Sequence, residues 1–236
     1  MFNRFHYDYC QRIAETWYAI FQELDINQYK TICELSPWWA PKVEIPLTQL
    51  GYAWKVILLD KQQSFLDELE ENLSVFQPDF EIVKKGENIL ESIDIRADIL
   101  IWNHIIDDLI LDYYCELEKI DVNDLYNDGN KFVSIRDSIQ DDLSLIEDIA
   151  DNLVDKFDSI INEEWYLLLA QYPGETEKNF GLDISIKMCK EIVENIKNRL
   201  LDSWFVEDKE IKKRAYEKLK TYFFESDDLL VLKKQA

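Results

Sequence analysis

Glycine is scarce in this chain of 236 residues: Gly51, Gly86, Gly129, Gly174 and Gly181 are its only five. They lie too far apart to build a multi-glycine phosphate loop, and collagen-like or Gly-rich linker architectures are excluded with it. Cysteine is as sparse, and Cys10, Cys33, Cys115 and Cys189 form no CxxC or CxH pair, which removes zinc clusters and dithiol redox motifs. No apolar run approaches the ~18 residues of a membrane span, and the N-terminal residues lack the apolar core of a secretory signal. A cytoplasmic protein with reduced thiols is expected. Positive charge is short as well, because 26 Lys and Arg stand against 48 Asp and Glu, for a net charge of −22. Such a field repels phosphate backbones and anionic lipid surfaces, so neither nucleic acid nor membrane is expected as a partner.

Apolar residues, at 47 %, are numerous enough for a full core, and the length fits a single domain over residues 1–236. Tyr9, Ile13, Trp17, Ile20, Phe21 and Leu24 recur at helical spacing and predict an amphipathic helix over 5–24. A short β-prone run from Tyr29 to Cys33 ends at Glu34, and a proline-broken turn, Leu35 to Pro41, follows it. A helix from Pro41 to Gly51 is expected, with Pro46 kinking it or delaying its start. Lys55–Leu59 is an unbroken apolar run, the pattern of a strand covered on both faces. Further strands are expected at 80–84, 98–102 and 165–170, with helices at 64–76, 107–120, 138–161 and 184–203. Alternation of short buried strands with helices predicts an α/β fold with a mostly parallel sheet and right-handed crossovers. The stretch 123–161 is expected to form a helical cap, and Tyr222–Glu225 with Leu229–Leu232 a closing antiparallel hairpin.

Ligands of open parallel sheets bind beyond the carboxyl ends of the strands. The polar strand terminators are therefore the candidate site: Glu34, Asp60 with Lys61, Glu87 with Asn88, Asn103 with His104, and Gln171 with Tyr172. Asp60 fits two roles, acceptor for the two hydroxyls of a ribose or cap of the following helix. His104 fits a general base, its ordinary pKa lying near ~6.5, or a buried imidazole bonded to a backbone carbonyl. Asn103 fits an orienting amide for an acceptor amine or a helix cap. Asp107 and Asp108 share a helix face with His104, but acids in a first helical turn are the ordinary complement to the dipole, so no metal is expected.

The order of these elements resembles the class I S-adenosylmethionine-dependent methyltransferases. The likeness runs through Ile32-Cys-Glu34, Val56-Ile-Leu-Leu-Asp60, Lys85-Gly-Glu-Asn88, Ala97-Asp-Ile-Leu-Ile-Trp-Asn103 and the closing hairpin. It implies a Rossmann-like, seven-stranded, mostly parallel sheet with helices on both faces. It also implies S-adenosylmethionine as cofactor: Glu34 orients the loop that cups the methionine part, Asp60 binds ribose, Glu87 with Asn88 contacts adenine, and Asn103 with His104 faces the transferred methyl. Tyr172, after the fifth strand, is the aromatic candidate for the acceptor side. The family's first loop is rich in glycine, whereas this one reads Glu34-Leu-Ser-Pro-Trp-Trp-Ala-Pro41, so Ser36 or Ala40 must permit the close approach and Trp38 and Trp39 must turn away.

Methyl transfer to a small-molecule or peptide acceptor is the expectation that follows. A catalytically silent scaffold of the same fold is the alternative, favoured by the missing glycines. A nicotinamide-dependent oxidoreductase is disfavoured because no GxGxxG occurs.

Overall fold

A computed structural model describes residues 4–89, 91, 94–120, 131, 133–135, 143–174, 178, 181, 183–219 and 222–235. Helix α1, Arg4–Leu24, buries Ile13, Trp17, Ile20, Phe21 and Leu24 on one face, as their 3.6-residue spacing requires. Then come strand β1, Thr31–Leu35; the short helix α2, Glu44–Gln49; strand β2, Lys55–Leu59; helix α3, Gln63–Ser74; and strand β3, Glu81–Lys85. Strand β4, Ala97–Asn103, leads to helix α4, Ile106–Glu118, and helix α5, Leu143–Ile160, runs directly into strand β5, Ile161–Ala170. Helix α6, Asp183–Asp202; strand β6, Phe205–Glu207; helix α7, Lys209–Lys218; and strand β7, Leu229–Lys234, complete the order.

The strands form one seven-stranded sheet in the order β3-β2-β1-β4-β5-β7-β6. β1 to β5 run parallel to one another, and β7 is antiparallel to both β5 and β6. The expected Rossmann-like α/β sheet with an antiparallel C-terminal pair is therefore present. From β1 the chain moves outward to β3 and returns to the other side of β1 as β4, so the order reverses between β1 and β4. That reversal is where parallel sheets open a crevice at their carboxyl ends.

The chain divides into two compact units. One holds the described residues of 1–103, 156–170 and 204–236, and with them the whole sheet; the other holds those of 104–155 and 171–203. In the first, β4 is the deepest strand: Ile99, Leu100, Ile101 and Trp102 are fully buried, and each contributes about 1.5–3 kcal/mol of burial. Trp17 of α1 is fully buried too, stacked on Phe21 at 5.5 Å and packed against Phe224 at 5.9 Å. The second unit has its own buried apolar side chains, among them Ile149, Ala150 and Leu153 of α5 and Ile192, Ile196 and Leu200 of α6.

Two expectations are corrected, the C-terminal hairpin and the start of β5. The C-terminal antiparallel pair is β6 with β7, and Tyr222–Glu225 is not a strand. The aromatics there attach to α1 instead: Phe223 meets Tyr9 edge-on at 5.3 Å, Phe224 meets Trp17, and the Phe223 N–H donates to Thr16 Oγ1. α2 begins at Glu44, the delayed start that Pro46 allows, and Pro46 lies in its first turn, where a missing N–H costs nothing. β5 starts four residues before Trp165, continuing from α5 without a loop. The cap expected over 123–161 falls largely on 121–130, 132 and 136–142, outside the described residues. Among the described residues, no helix is long and apolar enough to cross a membrane. The four cysteines are free and buried.

At the amino-terminal rim of the sheet, Asp98 accepts the N–H groups of Lys30 and Thr31 at 2.8 and 3.0 Å and the Asn162 side-chain amide at 3.2 Å. This carboxylate ties β1 to β4 and β5 where the ladder has run out. Asp98→Ala is expected to lower stability by about 1.5–3 kcal/mol, the range for bonds to a charged acceptor. Urea unfolding measures it, and a change below half of that range would show the bonds to be replaced by water.

Candidate functional site

The first unit brings together the carboxyl ends of β1, β2, β3 and β4, and with them most of the expected cofactor residues. Glu34, next to last in β1, is fully buried, as is Glu44 in the first turn of α2. Their carboxyl groups are hydrogen-bonded to each other. Two carboxylates in contact cannot both stay charged in so dry a place, so one proton lies between them. Burial is the main cause that raises Glu34 far above the ordinary carboxylate range, and the neighbouring Glu44 charge adds to it; Lys42 opposes both. Burial raises Glu44 as well, but the bond from Glu34, nearby amides and Lys42 pull it down. Burial therefore raises both carboxyls, and the pair shares the proton. Glu44 was not among the residues expected at this site. The signal for it was a single acid within the otherwise apolar or proline-bearing run Val43-Glu44-Ile45-Pro46-Leu47.

The loop after β1 solves the glycine deficit by strain. Ser36 and Trp38 have φ of 46° and 59°, the left-handed region that costs a non-glycine residue roughly 1–2 kcal/mol. The Ser36 N–H donates to the Leu59 carbonyl at 2.7 Å, and Asn72 of α3 donates to the Trp39 carbonyl at 2.9 Å, so the loop is pinned to β2 and α3. Both indoles have partners away from the strand ends: Trp38 packs on Phe65 at 5.9 Å, and Trp39 packs against Cys10, Ala14, Ala40 and Ile45.

Asp60, immediately after β2, is 4 % exposed, and its Oδ1 accepts the Gln62 N–H at 2.8 Å. The turn-capping role is therefore filled by one oxygen. Lys61 is exposed. Glu87 is half-buried, 3.7 Å from Lys85, and the half-buried Asn88 accepts the Glu91 N–H through its carbonyl. Asn103 is buried at the end of β4, and its Oδ1 accepts the Trp17 indole N–H at 3.1 Å, which leaves one lone pair of that oxygen committed to α1.

His104 and Tyr172 belong to the second unit, where the structure does bring them together. Their rings are stacked at 4.7 Å with an 11° interplanar angle. The tautomer of His104 follows from a backbone donor: the Ile106 N–H bonds Gln171 Oε1 at 3.1 Å, so the other end of that amide is its NH2 group. Gln171 Nε2 then donates to His104 Nδ1 at 3.3 Å, and the imidazole proton resides on Nε2, 3.9 Å from Asp107 Oδ2. His104 itself is left-handed, with φ of 59°. A small cleft lined by Gln171, Tyr172, Pro173, Ile186, Cys189 and Lys190 has a volume of about 10 Å³, far below the ~300–1,000 Å³ of usual ligand pockets. Among the described residues, no group of three or more His, Cys, Asp or Glu is arranged to hold a metal ion.

No family model and no curated protein sequence matches the chain. Solved structures do. The pyocyanin biosynthetic protein PhzM is 12 % identical over 94 % of this chain and 54 % of its own, with a TM-score of 0.51. LaPhzM is 12 % identical over 98 % of this chain and 57 % of its own, also at 0.51. The mitomycin 7-O-methyltransferase MmcR is 10 % identical over 95 % of this chain and 54 % of its own, at 0.48. The chain thus spans about half the length of these proteins. Its fold is that of the class I S-adenosylmethionine-dependent methyltransferases.

Two outcomes are expected. Ser36→Gly should raise stability by about 0.5–1 kcal/mol, the relief of left-handed strain less the flexibility glycine adds to the unfolded chain; a loss on urea unfolding would mean that the serine side chain holds the loop. Glu34→Gln tests the proton. A carboxyl raised in the folded state binds a proton the unfolded chain has released, so its stabilisation is complete below the ordinary carboxylate range and is lost as pH rises through the folded value. The variant is permanently neutral and should gain on the wild type as pH rises above the raised Glu34 value, by at most about 1.4 kcal/mol per pH unit. Parallel stability curves would place no proton on Glu34.

Proposed function

We propose that this protein binds S-adenosylmethionine at the carboxyl ends of β1 to β4 and methylates a small-molecule or peptide acceptor. The observation that carries the reading is the first loop: Ser36 and Trp38 hold the left-handed backbone that glycines supply in this fold family, directly after the buried acid Glu34, with both indoles packed elsewhere. The residues present fit the cofactor. Glu34 orders the loop around the methionine part with Ser36, Asp60 keeps one oxygen on its turn and offers the carboxylate to ribose, Glu87 and Asn88 lie after β3 for the adenine, and Lys61 flanks the ribose position. S-adenosylmethionine supplies a methyl group on a sulfonium, activated for in-line displacement.

The protein's share is then positioning and desolvation. Asn103, anchored by Trp17, orients the acceptor at the end of β4. His104 and Tyr172, stacked on each other, are the candidate base and aromatic residue, and His104 removes a proton only by exchanging the Gln171 bond at Nδ1 for one to the acceptor. The charge of −22 favours a neutral or cationic acceptor over nucleic acid.

Isothermal calorimetry with S-adenosylmethionine and its demethylated product tests the reading. Both should bind the wild type, and Asp60→Ala should weaken them by about 1–3 kcal/mol, roughly 5- to 150-fold. An unchanged affinity would leave Asp60 with its turn alone. Absence of binding by either compound would remove the enzyme and leave a scaffold of the same fold.

A further inference from the structure

The amino-terminal rim of the sheet, opposite the strand ends described above, carries a groove of about 530 Å³, within the ~300–1,000 Å³ of usual ligand pockets. Arg96 just before β4, Asp158 and Ser159 near the end of α5, Asn162 and Glu163 of β5, and Lys234 at the end of β7 line it, and its one apolar residue, Ile161, is fully buried. β5 is irregular here. Between the paired positions Ala97 with Ile161 and Ile99 with Tyr166 it contains more residues than β4, and Glu164 in this surplus has φ of 67°. Such a bulge re-aims side chains out of the ladder, and this one supplies Asn162 and Glu163 to the groove. Part of the lining is committed to the fold. Lys234 Nζ donates to the Asp158 and Ile161 carbonyls at 2.8 and 3.2 Å and meets Asp158 Oδ1 at 2.9 Å. Asn162 gives its NH2 group to Asp98 Oδ1 at 3.2 Å, which leaves its amide oxygen as an acceptor. Arg96 and Glu163 are exposed, and among the described residues neither side chain has a hydrogen bond or an ion pair.

Charge decides the class of ligand. Arg96 offsets Glu163 and Lys234 offsets Asp158, so the groove is neutral and selects neither an anion nor a cation, although the whole chain carries −22. Without an exposed apolar wall it has little to hold a hydrophobic ligand. Its uncommitted groups are hydrogen-bonding atoms of both kinds on planar side chains: the N–H donors of Arg96, the carboxylate oxygens of Glu163 and the amide oxygen of Asn162. Hydroxyl groups satisfy both kinds, since each donates and accepts, and two neighbouring hydroxyls on a ring match the paired atoms of a guanidinium or a carboxylate. We propose that this groove binds a neutral polyhydroxylated ligand of the saccharide class, with Arg96 donating to its oxygens and Glu163 and Asn162 accepting from its hydroxyls. The site shares no residue with the proposed cofactor site and does not rest on that reading. It is open to water and no aromatic residue lines it, so binding is in the millimolar range.

Amide NMR titrations of isotope-labelled protein with glucose, galactose, maltose and cellobiose test the site. At least one of these sugars should shift the amides of Arg96, Asn162, Glu163 and Lys234 to saturation at millimolar concentration and leave those of Glu34, Asp60 and Asn103 unmoved. Putrescine and sulfate, a cation and an anion, should give no saturable shift at the same amides. Arg96→Ala and Glu163→Ala remove exposed side chains that hold nothing in the fold, so urea unfolding should be unchanged while each variant weakens sugar binding about fivefold or more. The proposal is overturned if none of the sugars saturates, if putrescine or sulfate saturates the groove instead, or if both variants bind the sugar as tightly as the wild type.

Discussion

A parallel sheet covered on both faces admits polar side chains almost only where its strands end, and this constraint places the chemistry of the molecule. Along β4, Ile99 to Trp102 are fully buried, and β1 and β2 are as dry through Leu35 and Leu59. The charged and amide groups of these strands lie at the two rims: Asp98 at the amino end, binding the backbone of β1, and Glu34, Asp60 and Asn103 at the carboxyl end. The amino-terminal group is consumed by structure, since Asp98 accepts three hydrogen bonds. At the carboxyl-terminal rim the groups hold local turns and helices. Asp60 caps a turn with one oxygen, Asn103 gives one lone pair to Trp17, and Glu34 has a second acid as its partner.

The loop that follows Glu34 tolerates its lack of glycine by a different route. Glycine-rich loops let backbone approach a ligand because no Cβ intervenes and φ is unrestricted. Here two residues with side chains occupy the left-handed region, and the cost is offset by anchoring each indole in apolar contacts, on Phe65 for Trp38 and on the α1–α2 cluster for Trp39. The bulky side chains therefore stabilise the loop from outside the strand ends. The strained backbone and the tryptophan doublet are two aspects of one solution.

The parallel half of the fold was legible because its strands are uninterrupted apolar runs with polar terminators. Lys55–Leu59 matches its observed bounds, and β3 and β4 differ from expectation by one residue at each end. The C-terminal part was not, since β6 has three residues, too few to carry a period, and Tyr222–Glu225 has strand-like aromatics whose partners lie on α1. Within the site, strand terminators identified Glu34, Asp60, Asn103 and His104. Glu44 was missed because an acid in a first helical turn reads as an exposed complement to the dipole, and only the tertiary fold shows that the turn is buried. Asp98 was missed for the same reason: its function depends on two amides 67 and 68 residues away.

His104 shows how far local chemistry constrains the reaction. Its tautomer is fixed by a chain that begins at a backbone amide, since the Ile106 N–H orients Gln171 and Gln171 orients the ring. The basic nitrogen, Nδ1, faces a donor, while the protonated Nε2 faces Asp107. A histidine held in this way is ordered before any acceptor arrives, at the expense of having its lone pair occupied. It can take a proton from an acceptor only if the acceptor replaces Gln171, and a left-handed backbone at φ 59° with a stacked tyrosine leaves the ring little freedom to turn toward one. Under the methyl transfer proposed above this is a workable arrangement, because alignment of the nucleophile contributes more than proton removal unless the acceptor is a poorly acidic hydroxyl. That proposal therefore favours an amine or a phenol-like acceptor over an aliphatic alcohol.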